Sequence, residues 1–241
     1  MTAELERVIS ATYQADQYPA LRAQCARWSA SRPLAELRVL DCTPLFRNTF
    51  TKYLPLLAGG ADLTVGVHPD ISHDPAIVEL LPSLGVDVVT AAQATQRDFD
   101  IVLDCAGLHK DVNSTFGYVE LTHTGLAAYR SSPRPVIIVD HSAVKLLETM
   151  FGTGESFLRA LVELGYEPSG GSVVIFGAGK VGSGIAYNAR QSGLDVVMVD
   201  HRTSAANYAD AQVIDVTDTD AVSGAIASAW AVVTATGVPG A

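Results

Sequence analysis

Short, continuous β-branched runs recur along the chain, separated by stretches with apolar residues at helical spacing. The runs are Leu37–Cys42, Ala61–His68, Val86–Ala91, Asp100–Cys105, Pro135–Asp140, Ser172–Phe176, Asp195–Asp200, Ala211–Val216 and Ala231–Thr236. Runs without polar alternation suit strands buried on both faces of a parallel sheet. Between them, the spacing predicts helices over 2–31 (interrupted at Pro19), Phe46–Ala58 (kinked at Pro55, closed by Gly59-Gly60) and Pro75–Leu84. Further helices are predicted over Thr122–Ser131 and over 145–165, the last broken near Gly152 and Gly154. Regular strand–helix alternation predicts the α/β class with two Rossmann-like, doubly wound parallel-sheet domains. The boundary is expected near residue 150, giving a substrate-binding-like domain over 1–150 and a dinucleotide-binding domain over 151–241. Only the first half of a dinucleotide fold is expected in the second.

One stretch carries explicit chemistry. The strand Ser172–Phe176 runs into Gly177-Ala178-Gly179-Lys180-Val181-Gly182, a G-x-G-x-x-G turn, then a helix to about Ser192 and a strand closing on Asp200. Gly177 permits the tight turn, Gly179 leaves the backbone bare for a pyrophosphate, and Gly182 lets helix and strand pack closely. Lys180 and Val181 open the helix, where free N–H groups face an anion. Asp200, 18 residues after Gly182, is placed to accept from ribose hydroxyls and favours NAD over NADP; the adjacent Arg202 weakens that preference.

Composition narrows the partners. Hydrophobic residues make up 48% and charged residues 17%, which describes a well-cored globular chain. A net charge of −10 argues against nucleic acid or an anionic membrane as partner, leaving a small-molecule substrate. Cys25, Cys42 and Cys105 are widely spaced, and the chain opens on polar residues, so a reducing, cytoplasmic setting is expected. No apolar run approaches membrane-spanning length. His68, His73, His109 and His141 lack any standard metal spacing, and no metal is expected.

Several motifs together resemble the S-adenosylhomocysteine hydrolase (adenosylhomocysteinase) family. They are Tyr18-Pro19-Ala20-Leu21-Arg22 with Arg32-Pro33-Leu34, Ile101-Leu103-Asp104 with Gly107, and Glu120-Leu121-Thr122-His123-Thr124-Gly125. Pro135 through Lys145, Phe151-Gly152-Thr153-Gly154-Glu155-Ser156, the glycine turn and Val233-Thr234-Ala235-Thr236-Gly237 complete the set. The resemblance implies NAD held as a recycled catalyst that transiently oxidises a ribose hydroxyl, followed by elimination and addition at the neighbouring carbon. It also implies cofactor contacts from Thr122, His123, Thr124 and Thr236, a catalytic lysine at Lys145, and a hydroxyl-orienting carboxylate at Glu148. Asp104 ends a strand where ligands collect in such sheets. A homodimer or higher homo-oligomer is the family expectation.

The substrate side departs from the pattern. Pro44, Phe46 and Asn48 stand at the family's catalytic histidine and adenine-holding threonine and glutamate. Cys105 and Leu121 replace the second carboxylate of each acidic pair. An aliphatic side chain cannot hold a diol by charge-assisted hydrogen bonds. The expected activity is therefore NAD-dependent alcohol oxidation on a nucleoside or thioether-like metabolite other than S-adenosylhomocysteine. Two alternatives stay open: an S-adenosylmethionine-dependent methyltransferase using the same glycine turn, and a non-catalytic ligand-binding homologue. Each site residue also has a plainer role. Lys145 and Glu148, at i and i+3, suit a helical ion pair, and His123 suits a helix start.

Overall fold

A computed structural model of the chain describes residues 2–167, 170–201 and 211–237. It forms two compact units, Met1–Asp140 and His141–Ala241.

The first unit is a six-stranded, wholly parallel sheet. Its strands are β1 (Arg38–Asp41), β2 (Asp62–Val67), β3 (Asp87–Thr90), β4 (Asp98–Asp104), β5 (Asn113–Glu120) and β6 (Val136–Ile138), in spatial order β3-β2-β1-β4-β5-β6. That is the order of a full doubly wound nucleotide-binding sheet, with the direction of winding reversing between β1 and β4. Helices α1 (Thr2–Ser10), α2 (Pro19–Ser31) and α3 (Thr49–Ala58) precede and follow β1. The interruption expected at Pro19 is there, since Pro19 opens α2 at its first position, but α1 already ends at Ser10 and a 3₁₀ turn, Ala15–Gln17, lies between. Helix α3 buries Phe50, Tyr53 and Leu54 against Leu5, Ile9, Val39 and Val65. Helix α4 (Pro75–Leu80) is started by Asp74, which accepts from the Ala76 N–H at 2.9 Å, and short α5 (Ala91–Ala94) by a Thr90–Gln93 capping box.

Two elements differ from the pattern reading. β5 carries no apolar run: Asn-Ser-Thr-Phe-Gly-Tyr-Val-Glu is half polar with a central glycine. The register with β4 shifts between Phe99 and Ile101. Gly117 there has φ +135, and a Cβ would lie 2.2 Å from the Pro135 carbonyl oxygen. Ser114 Oγ ties the irregularity together by accepting from Gly117 N–H and donating to Gly117 O. The helix expected over Thr122–Ser131 is only a 3₁₀ turn, Thr124–Ala127, because its first residues are held by side-chain bonds described below.

The second unit has four parallel strands, β7 (Ser172–Phe176), β8 (Asp195–Asp200), β9 (Gln212–Asp215) and β10 (Ala229–Thr234), in order β10-β7-β8-β9. Val173, Val174 and Ile175 at its centre are fully buried. Helices α6 (Ala143–Leu147) and α7 (Gly154–Glu163) are joined by a π-helical segment, Glu148–Thr153. Gly152 and Gly154 therefore do not break the helical path. Gly154 is instead a contact point: a Cβ there would meet Gly184 O of helix α8 (Lys180–Gln191) at 2.2 Å. Helix α9 (Thr219–Ala227), begun by the Asp218 carboxylate, connects β9 to β10.

Candidate functional site

In the second unit the winding reverses between β7 and β10, and the glycine turn sits at that point. Gly177 has φ +99, and a Cβ on it would lie 2.6 Å from Ala235 O. A Cβ on Gly182 would lie 1.8 Å from Gly177 O, so the first turn of α8 rests directly on the end of β7. Gly179 is different: a Cβ there would meet nothing within 4 Å. It is the N-cap of α8 with extended backbone and no side-chain cap. The N–H groups that open α8 are thus uncapped by any side chain of Gly179 and carry the positive end of the helix dipole.

A cavity of about 560 Å³ lies over this turn, lined by Phe176, Gly177–Gly179, Val199, Asp200, His201, Val216, Ala235 and Thr236. Asp200 ends β8 beside it. One carboxylate oxygen accepts from Ala178 N–H at 2.6 Å and the other from His201 N–H at 2.6 Å. The acid is therefore fixed against the turn and faces the same cavity as the bare backbone at Gly179. Thr236 closes the opposite wall, reached by the β10 end, where Ala235 N–H donates to Phe176 O. These residues fit the adenosine half of a dinucleotide: Gly179 and the α8 N-terminus for the pyrophosphate, Asp200 for the ribose diol. Arg202 lies outside the described residues.

In the first unit the reversal between β1 and β4 collects three fully buried carboxylates, Asp41, Asp104 and Glu120. Asp41 pairs with Lys52 of α3 at 2.7 Å. Its other oxygen accepts from Thr43 Oγ1 at 2.9 Å, and Thr43 Oγ1 accepts from Lys52 Nζ at 2.6 Å. Asp104 takes four donors: Cys105 N–H, His109 N–H, His109 Nδ1 and Tyr129 OH, the last at 2.6 Å. A carboxylate only accepts, so His109 donates to Asp104 from Nδ1, and its Nε2 is buried with no hydrogen-bond partner among the described residues. Burial, with Asp104 behind it, pushes the Tyr129 hydroxyl pKa far up. Glu120 accepts from Ala106 N–H, Gly107 N–H, Thr122 N–H and Thr122 Oγ1. It stabilises the left-handed Ala106-Gly107 pair and holds Thr122 in place.

The profile of the family described as "3-hydroxyacyl-CoA dehydrogenase, NAD binding domain" matches residues 172–236, the β7-to-β10 unit with its glycine turn. Over 215 residues the chain is 28% identical to the S-inosyl-L-homocysteine hydrolase of Methanopyrus kandleri, covering 77% of this chain and 50% of that protein. It is 25% identical over 214 residues to the adenosylhomocysteinase of Thermosynechococcus vestitus, covering 76% and 50%. The chain is a distant homologue of the adenosylhomocysteinases. It spans about half the length of the curated relatives it matches. Among solved structures, a dipicolinate synthase from Bacillus halodurans is similar in fold, with a TM-score of 0.51 and 10% identity over 83% of this chain and 74% of that one.

The positions that the adenosylhomocysteinase motifs single out fall in both units. Thr122 and Thr124 join through their hydroxyls at 3.0 Å, on the turn that Glu120 braces. His123 between them is exposed, with Nδ1 3.8 Å from Asp140. A Cβ on Gly125 would strike the Glu120 carboxyl at 2.2 Å, which explains the glycine of this motif. In the second unit, Lys145 sits in the first turn of α6, capped by Ser142. Its Nζ lies 2.8 Å from Glu148, which also accepts from Thr149 Oγ1. Cys105, where the adenosylhomocysteinase pattern has a second aspartate, is buried, and Leu121 is half-buried.

The sequence pattern alone did not single out Lys52 or Asp41, and weighed His109 only as a metal ligand. A signal for one was present: β1 ends Val39-Leu40-Asp41-Cys42 and neighbouring β4 ends Val102-Leu103-Asp104-Cys105, so the two acids on either side of the reversal were visible as a repeated strand ending.

Proposed function

We propose that this chain is an NAD-dependent, adenosylhomocysteinase-like enzyme, with its first unit as substrate domain and its second as cofactor domain. The observation that carries this reading is the glycine turn at the β7/β10 reversal, open at Gly179 and flanked by Asp200. NAD bound there supplies a reversible hydride acceptor. Gly177 and Gly182 shape the turn so that Gly179 and the N–H groups of Lys180 and Val181 would hold the pyrophosphate; Asp200 would hold the ribose, and Thr236 lines the wall. Lys145, as the free amine, takes the proton of the substrate alcohol, and Glu148, 2.8 Å from its Nζ, orients that hydroxyl. Asp104 has its carboxylate committed to four internal donors, so its part is to shape the β4 end on which the substrate rests.

The substrate in this reading is a nucleoside or thioether-like metabolite other than S-adenosylhomocysteine, because Cys105 and Leu121 cannot grip a diol by charge-assisted bonds. The protein acts in the cytoplasm, in keeping with three free cysteines, as a homodimer or larger homo-oligomer. Among the described residues no helix is long and apolar enough to cross a membrane. The test is spectroscopic. Nucleoside alcohols are added to the NAD-loaded protein and nicotinamide reduction is followed by absorbance. Wild type should reduce its cofactor with at least one of them; Lys145→Met should retain NAD and fail to do so. Binding of S-adenosylmethionine in place of NAD would overturn the reading in favour of methyl transfer.

A further inference from the structure

Three side chains that the proposed reaction leaves unused converge at the C-terminal edge of the six-stranded sheet. β5 and β6 lie side by side, with Glu120 opposite Ile138, so the turns that follow them emerge as neighbours. The first turn is set by Glu120, which accepts from Thr122 N–H and Thr122 Oγ1. It leaves His123 as the N-cap of the 3₁₀ turn Thr124–Ala127. The second is itself a 3₁₀ turn, Val139–His141, which runs on directly from β6. Asp140 and His141 are consecutive residues of that turn, so their relative placement is local, although the two compact units divide between them. His123, Asp140 and His141 each offer one ligand atom, and the three atoms lie within 4.8 Å of one another. His123 Nδ1 is 3.8 Å from Asp140 Oδ2. The Asp140 side chain is 13% exposed against 71% for His123, so a mostly buried carboxylate stands behind two exposed imidazoles.

We propose that His123, Asp140 and His141 bind a divalent transition-metal ion of the zinc class, through one imidazole nitrogen from each histidine and one oxygen from the aspartate. A tetrahedral ion with bonds of about 2.0–2.1 Å sets its ligand atoms about 3.3 Å apart. The 3.8 Å pair is close to that spacing, and rotation of exposed imidazoles closes the rest. Two imidazoles select against magnesium and calcium, which take oxygen ligands. One carboxylate offsets half of the ion's charge, and the chain's net charge of −10 favours a cation further. Three protein ligands leave a coordination position for water or for a ligand oxygen. Spacing along the chain conceals the group, because His123 and His141 are 18 residues apart and meet only through the pairing of β5 with β6.

The test uses the full chain, stripped with a chelator, with Zn²⁺ and Co²⁺ as probes. Calorimetric titration with Zn²⁺ should show one ion per chain, and bound Zn²⁺ should raise the Tm. His123→Gln and His141→Gln change exposed side chains, so both should melt like wild type without metal. Each should weaken Zn²⁺ binding by about a hundredfold or more, since losing even an outer-shell partner costs roughly 10–100-fold. His73→Gln, outside the group, should change nothing. Co²⁺ should give visible d–d absorption without a near-ultraviolet thiolate band, because no cysteine belongs to the group. Zn²⁺ uptake without a defined stoichiometry, or unchanged affinity in either histidine variant, overturns the proposal. A thiolate band also overturns it, by placing the ion on Cys25, Cys42 or Cys105. NAD uptake, measured alongside, tests the cofactor reading separately: the metal site stands or falls on the histidine variants and the cobalt spectrum.

Discussion

Gly179→Ala separates a glycine kept for a ligand from one kept for the fold. The Gly179 backbone, φ −72 and ψ −171, is open to any residue, and a Cβ there meets nothing within 4 Å. The expected stability change is only the weaker N-cap propensity of alanine, about 0.5–1 kcal/mol, or a fall in Tm of no more than about 8 °C for a unit of this size. The methyl group instead stands where a pyrophosphate must approach the α8 N-terminus. Losing one or two charge-assisted hydrogen bonds there, about 1.5–3 kcal/mol each, weakens NAD binding by roughly tenfold to ten-thousandfold. Gly182→Ala is the opposite case, because its Cβ would sit 1.8 Å from Gly177 O. Backbone must move, and a cost of about 1–3 kcal/mol or more is expected before any ligand is added. Thermal melts of the ligand-free variants, followed by calorimetric titration with NAD, distinguish the two. The reasoning is refuted if Gly179→Ala binds NAD like wild type, or if it melts as low as Gly182→Ala.

Three further outcomes follow from the same geometry. Asp200→Ala should weaken NAD binding by calorimetry about tenfold or more, since it removes both the ribose acceptor and the bond to Ala178 N–H. Glu120→Gln should lower urea stability by about 1–3 kcal/mol, because with its amide oxygen on Ala106 and Thr122 its nitrogen faces the Gly107 N–H and cannot accept; an unchanged midpoint would contradict the bracing role. The hydrogen bonds from Arg38 hold the Asp100 carboxyl pKa below its ordinary value. A lowered folded-state pKa adds stability above about pH 4 that is lost as pH falls through the folded value. Asp100→Asn should therefore flatten that part of the acid-unfolding curve and leave neutral-pH folding intact.

Strands with apolar runs were legible in the sequence because burial on both faces leaves no other pattern, and β1, β2, β4, β7 and β8 lie where those runs fall. β5 was not, because its place in the sheet is secured by neighbours on both sides and by a glycine irregularity rather than by its own composition. The glycine turn was legible as a local motif of fixed spacing, down to which glycine touches backbone and which faces open space. The Lys52–Asp41–Thr43 and Asp104–His109–Tyr129 clusters were not, since each joins a strand-end acid to residues of the loops, helix or turn that come after it, which only the folded path brings together. Asp104 looked like a ligand group because it ends a strand; only the positions of His109 and Tyr129, 5 and 25 residues on, show its oxygens committed inward.

The most direct test of the central claim is native mass spectrometry of the full chain, as purified and after titration with NAD and with S-adenosylmethionine. The account predicts a folded protein carrying one NAD or NADH per chain, released on denaturation, with Gly179→Ala losing it. A folded protein that takes up S-adenosylmethionine and not NAD, or neither, would contradict it.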